Sequence, residues 1–221
     1  MGRRIANAAR AGLQHQASGS GGRPRSSAAD RAILKAALKL FVKRGFDSTS
    51  FEEIAETAGV AKTTVYRRWS SKEDLIAQAI ASERGNPERK IVAREARLGS
   101  LKDSMIDAVA EVLTTAEYKD ITARLIGSVP DHPELMSVYW RLYLEPRRRL
   151  VGDILARARD AGLIRRDVDI ELLLDLLGGA VLHELLVRPG KRTSAELRAY
   201  LHKAMRELGI DGGRPLAGTA R

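Results

Sequence analysis

The stretch 50-SFEEIAETAGVAKTTVYRRWSSKEDL-75 decides the fold. Ser50 and Glu53 stand at capping-box spacing, and Phe51, Ile54, Ala55 and Ala58 recur at i, i+3, i+4 and i+7, so a short amphipathic helix is predicted up to Gly59. After that glycine, a second short helix is predicted from about Ala61 to Trp69. A further box, Ser71 to Asp74, opens a helix that runs to about Arg84 with Leu75, Ile76, Ala79 and Ile80 facing inward. Two short helices joined by a tight glycine turn make a helix-turn-helix, whose second helix is the reader.

The residue types on that second helix point to a polyanion. From Gly59 to Leu75 no acid occurs before Glu73. Val65 and Trp69, with Ala61, recur at i, i+4, i+8 and pin the helix down, which leaves Lys62, Thr63, Tyr66 and Arg67 on the opposite face. Threonine and lysine at a helix start donate to phosphates or base edges, and an arginine forks onto guanine. Tyr66 and Lys72 are placed to donate to phosphates. A basic stripe is more often a solvated face, and a tryptophan at helical spacing is more often core; Trp69 is expected in the core.

Outward from this segment the pattern stays helical. A first helix is predicted over about Ala28–Arg44, with Ala29, Ile33, Ala36, Ala37, Leu40 and Phe41 on one face and Gly45 as its left-handed cap. Residues 1–27 form a basic arm whose run 18-SGSGGRPR-25 buries nothing. Gly85, Asn86 and Pro87 mark a boundary. Beyond it, helices are predicted over about 100–116, 118–128, 132–161, 167–187 and 194–208, and a loose tail over 210–221. Pro146 removes a backbone donor and should kink or restart the longest segment near Glu145. No segment alternates as a half-buried strand does, so the chain is expected to be all-α. Its predicted units are a reader at 28–84 and a second helical domain at 85–209.

Composition narrows the partners. The 221 residues carry a formal charge of +10, and residues 1–84 account for +7 of it with 15 Lys and Arg against 8 Asp and Glu. The polyanion partner therefore belongs to the N-terminal third. Cysteine is absent, which removes disulfides, thiol nucleophiles and thiolate metal sites and fits a cytoplasmic protein. The most apolar run, 170-IELLLDLLGGAVLHELLV-187, is interrupted by Glu171, Asp175, His183 and Glu184, and a span needs roughly 20 apolar residues. The N-terminal 1-MGRRIANAARAGLQHQ-16 lacks the apolar run of a secretory signal. His15, His132, His183 and His202 are scattered, and no nucleophile elbow, phosphate loop or dinucleotide fingerprint occurs, so no cofactor, metal or catalytic residue is expected.

From Ile33 to Ile80 the order "F…GF…TS…IA…AGV…TVYRRW.SKEDL" resembles, without gaps, the DNA-binding domain of the TetR/AcrR family of one-component transcriptional regulators. The resemblance implies DNA contacts by Thr63, Thr64, Tyr66, Arg67 and Lys72, a phosphate contact by Ser50, and an arm made by Arg23 and Arg25; Lys62 and Arg68 join them as candidates. Ala61 departs from the pattern, since many members cap the reading helix with serine there. The resemblance also implies a homodimeric repressor on a palindromic operator, released by a small-molecule effector. The residues supply a matching surface. In 170–187 the apolar side chains run all round, so Leu172, Leu176 and Leu186, with Gly178 and Gly179, are expected at a partner chain, joined by Leu197, Leu201 and Met205 of the last helix. Met105, Tyr118, Met136, Tyr139, Trp140, Tyr143 and His183 are the candidate pocket residues. An inward Arg124 or Arg141 would point to an anionic ligand. A nucleoid-type DNA binder without effector, or a helical enzyme with an incidental basic domain, are the alternatives; the latter needs paired titratable groups in a pocket.

Overall fold

The computed structural model describes residues 27–84, 106, 110, 113–162, 164–190, 192–208 and 210. Arg23, Arg25, Met105, the expected boundary after Arg84 and residues 211–221 of the tail lie outside them; Ile210, expected in the loose tail, is instead buried in a core with its N–H on Met205 O at 2.9 Å. Among the described residues every regular element is helical.

Helix α1, Ser27–Arg44, buries Ile33, Ala36, Ala37, Leu38, Leu40 and Phe41 and ends in Lys43 and Arg44. Gly45 then takes φ +87° and its N–H donates to Phe41 O at 2.9 Å. Helix α2, Phe51–Ala58, starts where Ser50 Oγ accepts from Glu53 N–H at 3.2 Å. The Glu53 carboxylate accepts from Arg44 Nη1 at 2.6 Å, tying α2 to the end of α1. Gly59 at φ +66° closes α2, its N–H and that of Val60 reaching back to Glu56 O and Ala55 O. A side chain at this φ would strain, so the turn depends on glycine.

Helix α3 spans Lys62–Tyr66, shorter than the sequence predicts, because the chain tightens into a turn at Arg67 and Arg68 while Trp69 N–H still reaches Val65 O at 3.1 Å. Its N-cap, Ala61, makes no side-chain bond. Helix α4, Lys72–Arg84, is capped by Ser71 Oγ accepting from Asp74 N–H at 3.1 Å.

Helix α5 (Ala116–Gly127) is capped by Thr115, and α6 (Pro133–Tyr139) begins after His132. The predicted long helix is then interrupted by a wide π turn, Trp140–Leu144, before α7 (Glu145–Asp160). Glu145 N–H donates to Trp140 O, five residues back, and Pro146 follows at the first turn of α7. The wide turn sits where Pro146 deprives the α-ladder of a donor, so the helix restarts at Glu145 as its sequence predicts. Helix α8 (Ile170–Leu182) is capped by Asp169, runs into a second π turn, His183–Val187, and α9 (Ser194–Glu207) carries the full Thr193/Glu196 capping box.

Two apolar cores result. The first gathers Ile33, Phe41, Ile54, Val65, Trp69, Leu75, Ile76 and Ile80 and continues without a break into Ile121, Leu125, Leu135, Tyr139 and Tyr143 of α5, α6 and the first π turn. The second is built from α7, α8 and α9, with Ile154, Leu155, Leu173, Leu185, Leu197, Leu201 and Met205. Part of the partner-facing set drawn from sequence is corrected here. Leu197, Leu201 and Met205 are 1–5 % exposed because the apolar stripe of α9 fills its own chain's core, and Leu186 packs against that core too. Leu172 and Leu176 stay about half exposed, Leu182 joins them, and Gly178 and Gly179 lie on the surface.

Candidate functional site

The reading face is carried by α3 and its flanks. Val65 is fully buried and Trp69 nearly so, with its indole N–H donating to Gln78 Oε1 at 3.0 Å. Pinned in this way, α3 presents Lys62, Thr63, Tyr66 and Arg67 to solvent, with Thr64 half-buried. The Arg67 N–H donates to Thr63 O at 3.1 Å, while its side chain has no hydrogen-bond or ion-pair partner among the described residues. Tyr66 is 55 % exposed; its ring meets Phe51 edge-on at 4.9 Å and its hydroxyl donates to Glu52 Oε1 at 2.8 Å. That bond holds the Glu52 carboxyl below its ordinary range and pushes the phenol up, so Tyr66 is a protonated donor.

Three residues of the candidate set are turned to other work. Arg68 does not join the face: its guanidinium pairs with Asp30 of α1 and donates to Thr64 O at 3.2 Å, leaving the side chain only 11 % exposed. The attraction of a carboxylate on the neighbouring helix outweighs solvation of the charge at a half-covered position. Lys72 Nζ donates to Phe46 O at 2.9 Å and lies 4.2 Å over the Phe46 ring, bracing the α1–α2 turn. Ser50 caps α2 with its hydroxyl.

Behind α4 lies a cavity of about 550 Å³, walled by α4, α5, α6, the first π turn, α7 and α8. Tyr118, Met136, Tyr139, Trp140 and Tyr143 line it. His183 does not: it is exposed at the head of the second π turn, two helical turns after exposed Leu176 and so on the outer side of α8. Arg124 and Arg141 are exposed and outside the lining as well, and Arg124 Nη2 donates to Val42 O at 3.2 Å.

Three guanidinium groups line the cavity, those of Arg84, Arg147 and Arg148, and none of them was among the residues expected there. Arg84, in the last turn of α4, is 9 % exposed. Its Nη2 donates to Thr122 Oγ1 at 2.8 Å and its Nη1 to the Tyr139 hydroxyl. The guanidinium carbon stands 4.3, 5.2 and 5.9 Å from the ring centres of Tyr118, Tyr139 and Tyr143. Burial pushes the Tyr139 phenol far above its ordinary value, against the pull of Arg84, so it remains neutral. The signal was present: Ile76, Ile80 and Arg84 are four residues apart, a cation prolonging an inward stripe. Across the cavity Arg148 is paired with Glu171 at 2.8 Å and Asp175 at 2.7 Å. No group of His, Asp and Glu able to hold a metal occurs among the described residues, and none of their helices is long and apolar enough to cross a membrane.

Comparison with known proteins bears on both halves. Residues 33–79 match the sequence model of bacterial regulatory proteins of the tetR family, and residues 98–204 match that of the tetracyclin repressor-like C-terminal domain. An uncharacterized HTH-type transcriptional regulator of Bacillus subtilis (strain 168), YdeS, is 28 % identical over 194 residues, covering 84 % of this chain and 92 % of that protein. A DNA-binding transcriptional repressor TetR of Mycobacteroides abscessus is 28 % identical over 161 residues, 70 % of this chain and 80 % of that one. The crystal structure of the TetR family transcription regulator SCO0332 superposes with a TM-score of 0.59 and 30 % identity, over 85 % of this chain and 99 % of that chain.

Proposed function

The chain belongs to the tetR family of DNA-binding transcriptional regulators, and from that membership we propose that it is a repressor that binds a palindromic operator as a homodimer and leaves it when a small-molecule effector fills the cavity. The observation that carries the reading is the continuity of the first core. Val65 under the reading face and Tyr139 at the cavity wall belong to one packed cluster, with α4 running between them. Close-packed interiors transmit displacement rather than absorb it. A ligand that reshapes the cavity therefore alters the seat of α3, and coupling of typically about 1–3 kcal/mol is enough to regulate binding.

In this reading Lys62, Thr63, Tyr66 and Arg67 touch DNA, and the arm with Arg23 and Arg25 adds phosphate contacts. The exposed ridge of Leu172, Leu176 and Leu182 beside Gly178 and Gly179 supports a two-fold helix pairing, because it leaves large apolar side chains uncovered on one helix. The two readers then lie one DNA turn apart, about 34–36 Å. The units proposed are an arm at 1–27, a reader at 28–84, a sensing and dimerisation domain at 85–209 and a tail at 210–221.

Selection of bound duplexes from a random library, with light scattering on the same sample, tests this. The expected outcome is one two-fold symmetric site and a mass twice the 24.2 kDa of the chain. Recovery of unrelated sequences without symmetry, or a monomer on DNA, overturns it.

A further inference from the structure

We propose that the ligand of the cavity is an amphipathic carboxylate, its charged end bound by Arg84 and its apolar body lying along Leu125, Met136 and Ile106. The inference rests on the effector reading above and deepens it by naming the chemistry of the ligand.

The case begins with a charge out of balance. Arg84 is nine-tenths buried, and the groups it meets among the described residues are neutral: a threonine hydroxyl, a tyrosine hydroxyl and three tyrosine rings. Among the described residues no carboxylate reaches it, and its Nε is sealed from solvent without an acceptor. Hydroxyl dipoles and π faces soften the cost of burying a guanidinium but supply no counter-charge. Buried charges are otherwise paired. Two further guanidinium groups line the cavity, and both are engaged: Arg147 Nη1 donates to the Tyr143 hydroxyl at 2.6 Å, and Arg148 holds Glu171 and Asp175 on α8. Among the described residues, Arg84 is thus a buried guanidinium with no carboxylate opposite it, at the edge of a largely hydrophobic chamber.

The geometry selects within anions. One planar fork matches one carboxylate in bidentate fashion. The Tyr139 hydroxyl, which accepts from Arg84, keeps its own proton to donate to the same carboxylate, whereas the Thr122 hydroxyl proton is spent on the Tyr118 carbonyl at 2.7 Å. A cavity of about 550 Å³ walled by Leu125, Met136, Leu177 and Val181 demands an apolar remainder on the ligand. A cation would meet Arg84 with like charge, and a neutral ligand would shut the guanidinium away from water with nothing opposite it. Arg84 also closes the helix whose first residue, Lys72, braces the turn ahead of the reader, so the anion pulls on one end of a strut fixed at the other.

Isothermal titration of the full-length dimer with two matched pairs tests the proposal: decanoate against decanol, and 2-naphthoate against 2-naphthamide. At least one carboxylate should bind ten-fold or more tightly than its neutral partner. Arg84→Met should abolish that preference with the circular dichroism spectrum intact, and Arg84→Lys should keep part of it. Equal or stronger binding of the neutral partners, an unchanged preference in Arg84→Met, or binding by none of the four overturns the inference. If Arg84→Met does not fold, the charged-to-neutral ratio of the native protein decides. Anisotropy of a labelled duplex from the selection experiment separates this from the broader reading. Release of DNA by a neutral partner alone sinks the carboxylate and leaves the effector; carboxylate binding without any release sinks the effector role and leaves the ligand.

Discussion

Adjacent arginines in the turn that follows the reading helix have opposite fates. The Arg67 side chain points to solvent without a partner among the described residues, whereas Arg68 is drawn onto Asp30 and the Thr64 carbonyl. Replacing Arg67 by Ala should lower operator affinity at least ten-fold, in line with about 1–3 kcal/mol for one specific base contact, and leave the melting temperature where it was. Replacing Arg68 by Ala should instead cost about 1–2 kcal/mol of stability, because Asp30 and Thr64 lose their donor, with little change in affinity per folded molecule. Urea midpoints and anisotropy titrations on both variants check this; the reverse pattern would exchange their roles. Helical spacing placed both residues near the surface, and Arg67 was legible from it. What claims Arg68 is a carboxylate 38 positions earlier on a different helix, and no local pattern carries that pairing. His183 was misplaced for another reason: apolar residues run all round α8, so the pattern did not tell its inner side from the outer one that His183 shares with Leu172 and Leu176.

Helix boundaries were the part most open to sequence reading, since caps are made by neighbours a few positions apart. Ser50, Ser71 and Thr193 each accept the backbone N–H that their spacing predicts, and Gly45 and Gly59 take the left-handed conformations expected of them. Where the cap is missing, the element is short: α3 starts at uncapped Ala61 and spans five residues. Ala61→Ser should therefore add about 0.5–1 kcal/mol, visible as a raised denaturation midpoint, and a fall in stability would show that α3 gains nothing from a cap. Gly59→Ala is the counterpart. Space is open around a new Cβ there, so the expected loss of about 1–2 kcal/mol comes from the backbone angle alone. The wide turn at Trp140–Leu144 was half legible: Pro146 announces a break, but whether the chain kinks or widens is settled by packing.

Across the whole molecule, the burial of charged side chains governs what the sequence left hidden. Arg84 reads as the end of a helix until α5 and α6 close over it. Glu184 reads as an interruption in an apolar run, yet its side chain is 1 % exposed and held by Arg188 at 2.7 Å and Arg192 at 2.9 Å. Burial is the largest influence on its carboxyl and pushes upward, but the two guanidinium partners together outweigh it, so the group titrates below its ordinary 4.5. A carboxyl depressed in the folded state contributes stability above the unfolded value and loses it as pH falls through the folded one. The native protein should thus lose stability more steeply below pH 4.5 than Glu184→Gln, which should already be weaker at pH 7. Equal slopes in urea titrations between pH 7 and pH 3.5 would show that the pair contributes nothing.

The undivided first core has a consequence for anyone who would treat the DNA reader as a portable module. Severing the chain after Arg84 strips that core of Ile121, Leu125, Leu135, Tyr139 and Tyr143. A hybrid regulator that borrows this operator specificity must bring α5 and α6 with it, or redesign the seam to match.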